Sequence, residues 1–278
     1  MVTGGSGQLG YDVIRVLEAR GVDFVAPTHD ELELTSPEAV NTYMTKEQPD
    51  AVIHCAAYTA VDKAETESGA CERVNHEATE YLVKAAEQIS AKFLYVSTDY
   101  VFNGQGTTPY ETDTERAPLN VYGLSKLGGE RAVETFSTRG FIVRISWVFG
   151  SNGGNFVKTI LRLADTKDEI SVVDDQTGSP TYTKDLAPLL VDMVMTDKYG
   201  TYHATNEGFT TFKQFAEEIV KQSGKTLKIN PTTTEAYGAP ATRPLNSRLS
   251  KQSLTDAGFQ TLPTWQDALG RFLKELAE

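Results

Sequence analysis

Seven residues near the start of the chain, Gly4-Gly-Ser-Gly-Gln-Leu-Gly10, constrain the fold more than any others. They stand between a short apolar run, Met1 to Thr3, and a helical pattern in which Leu9, Val13, Val16 and Leu17 share one face until Gly21 can end it. Strand, glycine turn and helix in that order open a βαβ unit. Glycines at 5, 7 and 10, or at 4, 7 and 10, let backbone approach a pyrophosphate at the helix N-terminus. An ordinary glycine-rich turn is the plainer reading of the segment alone. Only three residues precede the glycines, whereas a strand usually has about five or six. A first strand cut short and poorly paired is therefore expected.

The rest of the first 150 residues repeats the alternation. Strands are expected at Val22 to Pro27, Ala51 to Ala56, Phe93 to Ser97 and Phe141 to Trp147, each ending where polar residues or glycine begin. Ser36-Pro-Glu38 supplies a cap, a first-turn proline and an acid for one helix, and Tyr81, Leu82, Ala85 and Ala86 give a second, Val74 to Ile89, its apolar face. The pattern predicts an α/β protein with a Rossmann-type, doubly wound parallel sheet over 1–150, to which later segments return. A smaller C-terminal α/β substrate-binding domain over 151–278 carries helices at Phe156 to Ala164, Lys184 to Met195, Phe212 to Ser223 and Trp265 to Leu276, and a strand at Ile170 to Val173.

Charge narrows the function. The chain carries 26 basic and 38 acidic residues, a formal net charge of −12, which repels phosphate backbones and anionic lipid headgroups. No nucleic-acid partner is expected. No apolar run reaches the roughly 18 to 20 residues of a membrane span, and the first residues lack a signal-peptide pattern, so a cytoplasmic protein without membrane contact is expected. Two cysteines exclude a disulfide framework, and four scattered histidines lack zinc-ligand spacing.

Two further segments carry chemistry. Tyr122-Gly-Leu-Ser-Lys126 puts a phenol and an ammonium on one helix face, where the cation stabilises phenolate and pulls the phenol toward a working pKa. Ser97-Thr98-Asp99 follows an apolar strand and so falls on the carboxyl edge of the sheet, where α/β proteins bind ligands and a hydroxyl can polarise a carbonyl. Taken singly, the first is a common surface spacing and the second a loop cap. The strand end Val25-Ala-Pro-Thr28 has no acid to hold a ribose 2′-hydroxyl, which tilts the expected cofactor to NADPH over NADH, although Asp30 and Glu31 follow and no arginine is near.

These segments together, with Cys55-Ala-Ala-Tyr-Thr-Ala-Val-Asp62, Ser146-Trp-Val-Phe-Gly150, Asp175-Gln-Thr-Gly-Ser-Pro180 and Arg243-Pro-Leu-Asn-Ser-Arg248, make the chain resemble the extended short-chain dehydrogenase/reductases and, within them, the dTDP-4-dehydrorhamnose reductase family. The resemblance spans nearly the whole chain. It implies reduction of the C4 ketone of dTDP-4-dehydro-6-deoxy-L-mannose to dTDP-L-rhamnose. By the same resemblance Gly4, Gly7, Gln8 and Leu9 touch the pyrophosphate, Glu33 and Leu34 border the adenine, and Ala57, Tyr58 and Thr59 flank the cofactor ribose. Tyr122 is then the proton donor, Lys126 its electrostatic partner and a ribose ligand, and Thr98 a partner of the reacting oxygen, while Asp99 and Trp147 contact the sugar nucleotide. Arg243 or Arg248 is expected on the substrate phosphates.

The family also suggests a homodimer and, in some relatives, Mg²⁺ at the subunit contact, but no acidic cluster here has clear ligand spacing and metal residues stay unassigned. Another sugar-nucleotide epimerase or reductase would share Tyr122, Lys126 and the glycines; a dehydratase would want an acid pair where Asp99-Tyr100 stands. The fold also resembles a non-catalytic regulatory subunit of methionine adenosyltransferase.

Overall fold

Five parallel strands lie side by side in the order Val2–Thr3, Ala51–His54, Lys92–Thr98, Gly140–Ile145 and Gly200–His203 in the computed structural model, which describes residues 1–277. Alternation along the central strand decides which helices cover which face. Leu94 packs with Val13, Leu17, Leu186 and Leu190, so the helices Gln8–Ala19 and Thr183–Val194 cover one side. Phe93 and Tyr95 pack with Val40, Leu82 and Val133, so Pro37–Glu47, Ala78–Gln88 and Val121–Phe136 cover the other. A strand buried on both faces must be apolar throughout, which is why the runs around residues 93 and 141 read so clearly.

The first strand is short, as its sequence suggests, with two residues paired, Val2 to Ile53 and Thr3 to His54. The segment Val22 to Pro27 does not form the expected strand. It runs extended beside the sheet edge, tied by one bond from the Val2 amide to the Val25 carbonyl at 2.9 Å. Its side chains still alternate, Phe24 toward one core and Val25 toward the other. A two-residue neighbour is too short to support a ladder on its second side.

The helix expected over Val74 to Ile89 starts earlier, at Ser68, and widens into a π turn over Arg73–Glu77 before resuming at Ala78. In the wide turn the Asn75 carbonyl accepts from Thr79 Oγ1 at 2.8 Å and from Tyr95 Oη at 3.2 Å. Beyond residue 150, helices Phe156–Ala164, Phe212–Ser223 and Trp265–Ala277 enclose a separate core around Phe149, Phe215 and Phe272. Beside them lies a two-stranded parallel sheet, Glu169–Val173 with Lys228–Thr232.

One buried ionic cluster fixes the carboxyl end of the central strand. Glu130 is fully buried and takes a bidentate pair from Arg144, Nε to Oε1 and Nη2 to Oε2, each 2.8 Å. Ser97 Oγ donates to the same carboxylate at 2.6 Å and Arg116 Nη1 at 2.9 Å. Strand, helix and loop are thereby clamped through one carboxylate. Removing one partner of a buried pair leaves the other charge uncompensated, which costs more than the pair itself contributes. Arg144→Met is expected to lose about 3 to 5 kcal/mol of stability in urea unfolding, and an unchanged midpoint would contradict the clamp.

Candidate active site

The carboxyl ends of the strands open onto one cleft of about 1110 Å³. Its floor is the glycine turn. Gly4 has φ +69° and stands so close to the next strand that a Cβ there would sit 2.6 Å from the Ala56 nitrogen. A Cβ at Gly10 would overlap the Gly4 carbonyl oxygen. Gly7 begins helix Gln8–Ala19 with no side chain bonded to the first amides. Those amides and the helix dipole suit an anion, so the residues present fit a dinucleotide pyrophosphate. Two asparagines that sequence reading did not single out fasten the far wall. Asn152 Nδ2 donates to the Ser6 carbonyl at 2.7 Å and Asn155 Nδ2 to Gln8 Oε1 at 3.0 Å. The Gly150-to-Gly154 loop was legible as a loop, but nothing local announced that it closes over the glycines.

Along the same cleft, Glu33 and Leu34 line one end, and Ala57 and Thr59 the middle. Tyr58, expected with them, is turned away from the lining. Its hydroxyl donates to Glu67 Oε2 and its backbone amide to Asn75 Oδ1, both at 2.8 Å.

The middle of the cleft holds the reacting groups expected from sequence. Asn120 caps helix Val121–Phe136, its Oδ1 accepting from the Gly123 amide at 2.8 Å while its Nδ2 donates to the Thr242 carbonyl at 2.8 Å. That cap places Tyr122 and Lys126 on the cleft wall beside Thr98. Lys126 is 2% exposed, with Nζ donating to the Val96 carbonyl at 2.8 Å and resting 4.1 Å from the Tyr95 ring centroid. Burial pulls its pKa from 10.5 to about 7, and the Glu130 carboxylate one turn on opposes the fall.

Tyr122 departs from the sequence expectation. Burial first, then the Asp99 charge, hold its phenol well above the usual 10.0, and the Thr98 hydroxyl only partly offsets them. The help expected from the lysine is missing because its ammonium bonds the Val96 carbonyl and is itself driven toward neutrality by burial. Thr98 Oγ1 donates to Asp99 Oδ1 at 3.0 Å, and Asp99 Oδ2 is buried with no partner in good hydrogen-bond geometry, although the nearby Ser247 hydroxyl favours the charged form. Burial raises that carboxyl from 3.8 to about 6. A phenol that keeps its proton, a hydroxyl beside it and an unsatisfied carboxylate facing the same space can donate a proton to a polar ligand and orient it.

The opposite wall is aromatic. Trp147 takes the left-handed backbone region, φ +48°, and its indole stacks on Phe212 at 3.7 Å, with Phe156 at the edge of Phe212, 5.1 Å away. Phe212 and Phe156 were read from sequence only as helix residues, since their periodicity says core and not cleft. Arg243 lines the cleft, held by Asp62 Oδ2 at 2.7 Å and donating to Tyr100 Oη at 3.2 Å. Arg248 stays off the lining and donates to Asn246 Oδ1 at 2.9 Å. Among the described residues, no group of His, Cys, Asp or Glu side chains is placed to hold a metal ion, and no helix is long and apolar enough to cross a membrane.

Comparison with known proteins gives consistent results. Residues 1–278 match the family described as RmlD substrate binding domain. The chain is 40% identical to dTDP-4-dehydrorhamnose reductase of Streptomyces griseus over 97% of its own length and 91% of that protein's. It is 39% identical to the spore coat polysaccharide biosynthesis protein SpsK of Bacillus subtilis, over 99% and 96%. The crystal structure of dTDP-4-dehydrorhamnose reductase from Bacillus anthracis in complex with NADP superposes with a TM-score of 0.96 at 38% identity, covering 99% of this chain and 98% of that one.

The buried carboxylate gives the site a signature in stability. Asp99 binds its proton more tightly in the folded protein than in the unfolded chain, so stability is lost as pH rises through about 6. Asp99→Asn retains an acceptor for Thr98 and removes the charge. The variant's advantage over the parent is expected to be larger at pH 8 than at pH 5 by roughly 1 kcal/mol, read from thermal unfolding at both values. A gap that does not grow with pH would contradict this.

Proposed function

The chain belongs to the RmlD substrate binding domain family, and from that premise we propose that it reduces the C4 ketone of dTDP-4-dehydrorhamnose with a nicotinamide dinucleotide, giving dTDP-L-rhamnose. The observation that carries the reading is the convergence of Tyr122, Lys126 and Thr98 on the cleft whose floor is the glycine turn. A nicotinamide dinucleotide, when bound, supplies the hydride for the C4 carbon.

The chain's own residues do the rest. The first amides of helix Gln8–Ala19 receive the pyrophosphate, and the Cβ-free faces of Gly4 and Gly10 let it come close. Thr98 Oγ orients the ketone oxygen. Tyr122, which burial keeps protonated, gives its proton to that oxygen as negative charge develops there. Lys126 then faces a phenolate, and that negative neighbour favours its ammonium form. The orphaned Asp99 Oδ2 takes a sugar hydroxyl, satisfying the one buried acceptor near the reacting centre that the protein leaves open. Arg243, already oriented by Asp62, suits the substrate phosphates, and Trp147 the sugar face. Residues 1–150, with the later strand Gly200–His203 that joins their sheet, serve mainly the dinucleotide, and the other later residues mainly the sugar nucleotide.

Tyr122→Phe removes the proton and little volume. With the keto-sugar nucleotide and reduced dinucleotide, kcat is expected to fall by roughly 10² to 10⁴ while dinucleotide affinity, read by fluorescence titration, stays within about twofold of the parent's. Near-normal turnover would remove Tyr122 from the mechanism.

A further inference from the structure

The adenosine end of the cleft is built for a ribose hydroxyl and against a ribose phosphate. In a sheet of this kind the adenosine ribose lies past the carboxyl end of the second extended segment, about 20 residues beyond the last glycine of the turn. Here that places Thr28 to Glu31 beside it, and Thr28, Asp30, Glu33 and Thr35 all line the cleft. His29 also lines this end, and the donors of Thr28 and Thr35 are already engaged by the protein's own carboxylates, with Glu31 standing behind Thr28 and off the lining. Glu31 Oε2 accepts from both the Thr28 amide, 2.8 Å, and the Thr28 hydroxyl, 2.9 Å. Glu33 Oε1 accepts from the Thr35 amide, 2.8 Å, and the Thr35 hydroxyl, 2.7 Å.

Two consequences follow for a ligand. Bonded to carboxylates, the threonine hydroxyls offer lone pairs outward that accept from a ribose 2′-hydroxyl, and to donate to a phosphate they must give up those bonds. The charges are also of the wrong sign, since the hydrogen bonds hold Glu31 and Glu33 below the usual carboxylate range, and Asp30 stands exposed beside them. Among the described residues, Lys126 and Arg243 are the only lysine or arginine lining the cleft, and both stand at its reacting end, Arg243 paired with Asp62.

Resting on the dinucleotide reading above, we propose that Glu31, acting through Thr28, together with Asp30 makes this chain prefer NADH to NADPH. This is opposite to the tilt that the bare strand end Val25-Ala-Pro-Thr28 suggests in sequence: the acid missing from the strand folds back from three residues further on. The preference is one of degree, with NADPH bound more weakly.

Direct binding tests it without turnover. Dissociation constants of NADH and NADPH for the full chain, from fluorescence titration at pH 8 and low salt, are expected to differ by about tenfold in favour of NADH. The gap should narrow in about 0.5 M salt, where charges are screened within a few ångströms. Glu31→Gln should tighten NADPH by about threefold or more and leave NADH nearly unchanged. Equal weakening of both would mean that Glu31 only shapes the loop and would overturn its assigned part. Asp30→Asn, at an exposed side chain, is a second variant expected to move the ratio the same way. NADPH binding as tightly as NADH at low salt overturns the proposal and leaves the dinucleotide reading intact, whereas binding of neither overturns both.

Discussion

The contact on which the rest depends is backbone against backbone at the glycine turn. Gly4 sits so near the Ala56 nitrogen, and Gly10 so near the Gly4 carbonyl, that neither position has room for a side chain. This closeness lets helix Gln8–Ala19 leave the first strand and pack on the sheet with its amino end aimed into the cleft. A two-residue strand can anchor that turn because its neighbour holds it firmly, with the Met1 carbonyl accepting from the Ile53 amide at 2.9 Å and the Thr3 hydroxyl bonded to His54 Nδ1 at 2.6 Å. Burial leaves His54 neutral, its pKa down at about 3, so the bond joins two uncharged groups and persists across the physiological range.

Upon this frame the protein sets groups that destabilise it. Lys126 and Asp99 are buried and Tyr122 is half-buried, and each has its pKa moved in the direction that desolvation dictates. Asp99 Oδ2 has no hydrogen-bond partner, an arrangement that a site built only for stability would remove. Nearby, Glu130 is as deeply buried yet fully bonded by Arg144, Arg116 and Ser97. The contrast separates the two: the satisfied carboxylate holds strand and helix together, and the unsatisfied one lines the cleft.

Most of the architecture was legible because strands covered on both faces must be apolar, and helix Phe212–Ser223 appears at the limits its periodicity predicts. The segment Val22 to Pro27 has the same apolar character and forms no ladder, since pairing depends on the length of its neighbour and not on its own residues. Tyr122, Lys126 and Thr98 were legible as motifs, but their electrostatics were not. Four-residue spacing puts Lys126 near Tyr122, while the pull of the Val96 carbonyl and the depth of burial belong to the tertiary structure. Likewise Arg243 and Asp62 stand 181 residues apart, and only folding shows that their two motifs form one ion pair. Trp147 and Glu31 were noted in the sequence, but the stacking of Phe212 on that indole and the bonds that fold Glu31 back onto Thr28 carried no local signal.

Net hydride transfer to one carbon of a keto sugar leaves an isotopic mark on the product. Incubation of dTDP-4-dehydrorhamnose with NADH deuterated at the transferable C4 position, followed by mass spectrometry and NMR of the product, reads the destination of the hydride. One deuterium at C4 of the rhamnose ring is expected for each dinucleotide oxidised. A product without deuterium, formed with no net oxidation of the dinucleotide, would contradict it and make the cleft that of an epimerase.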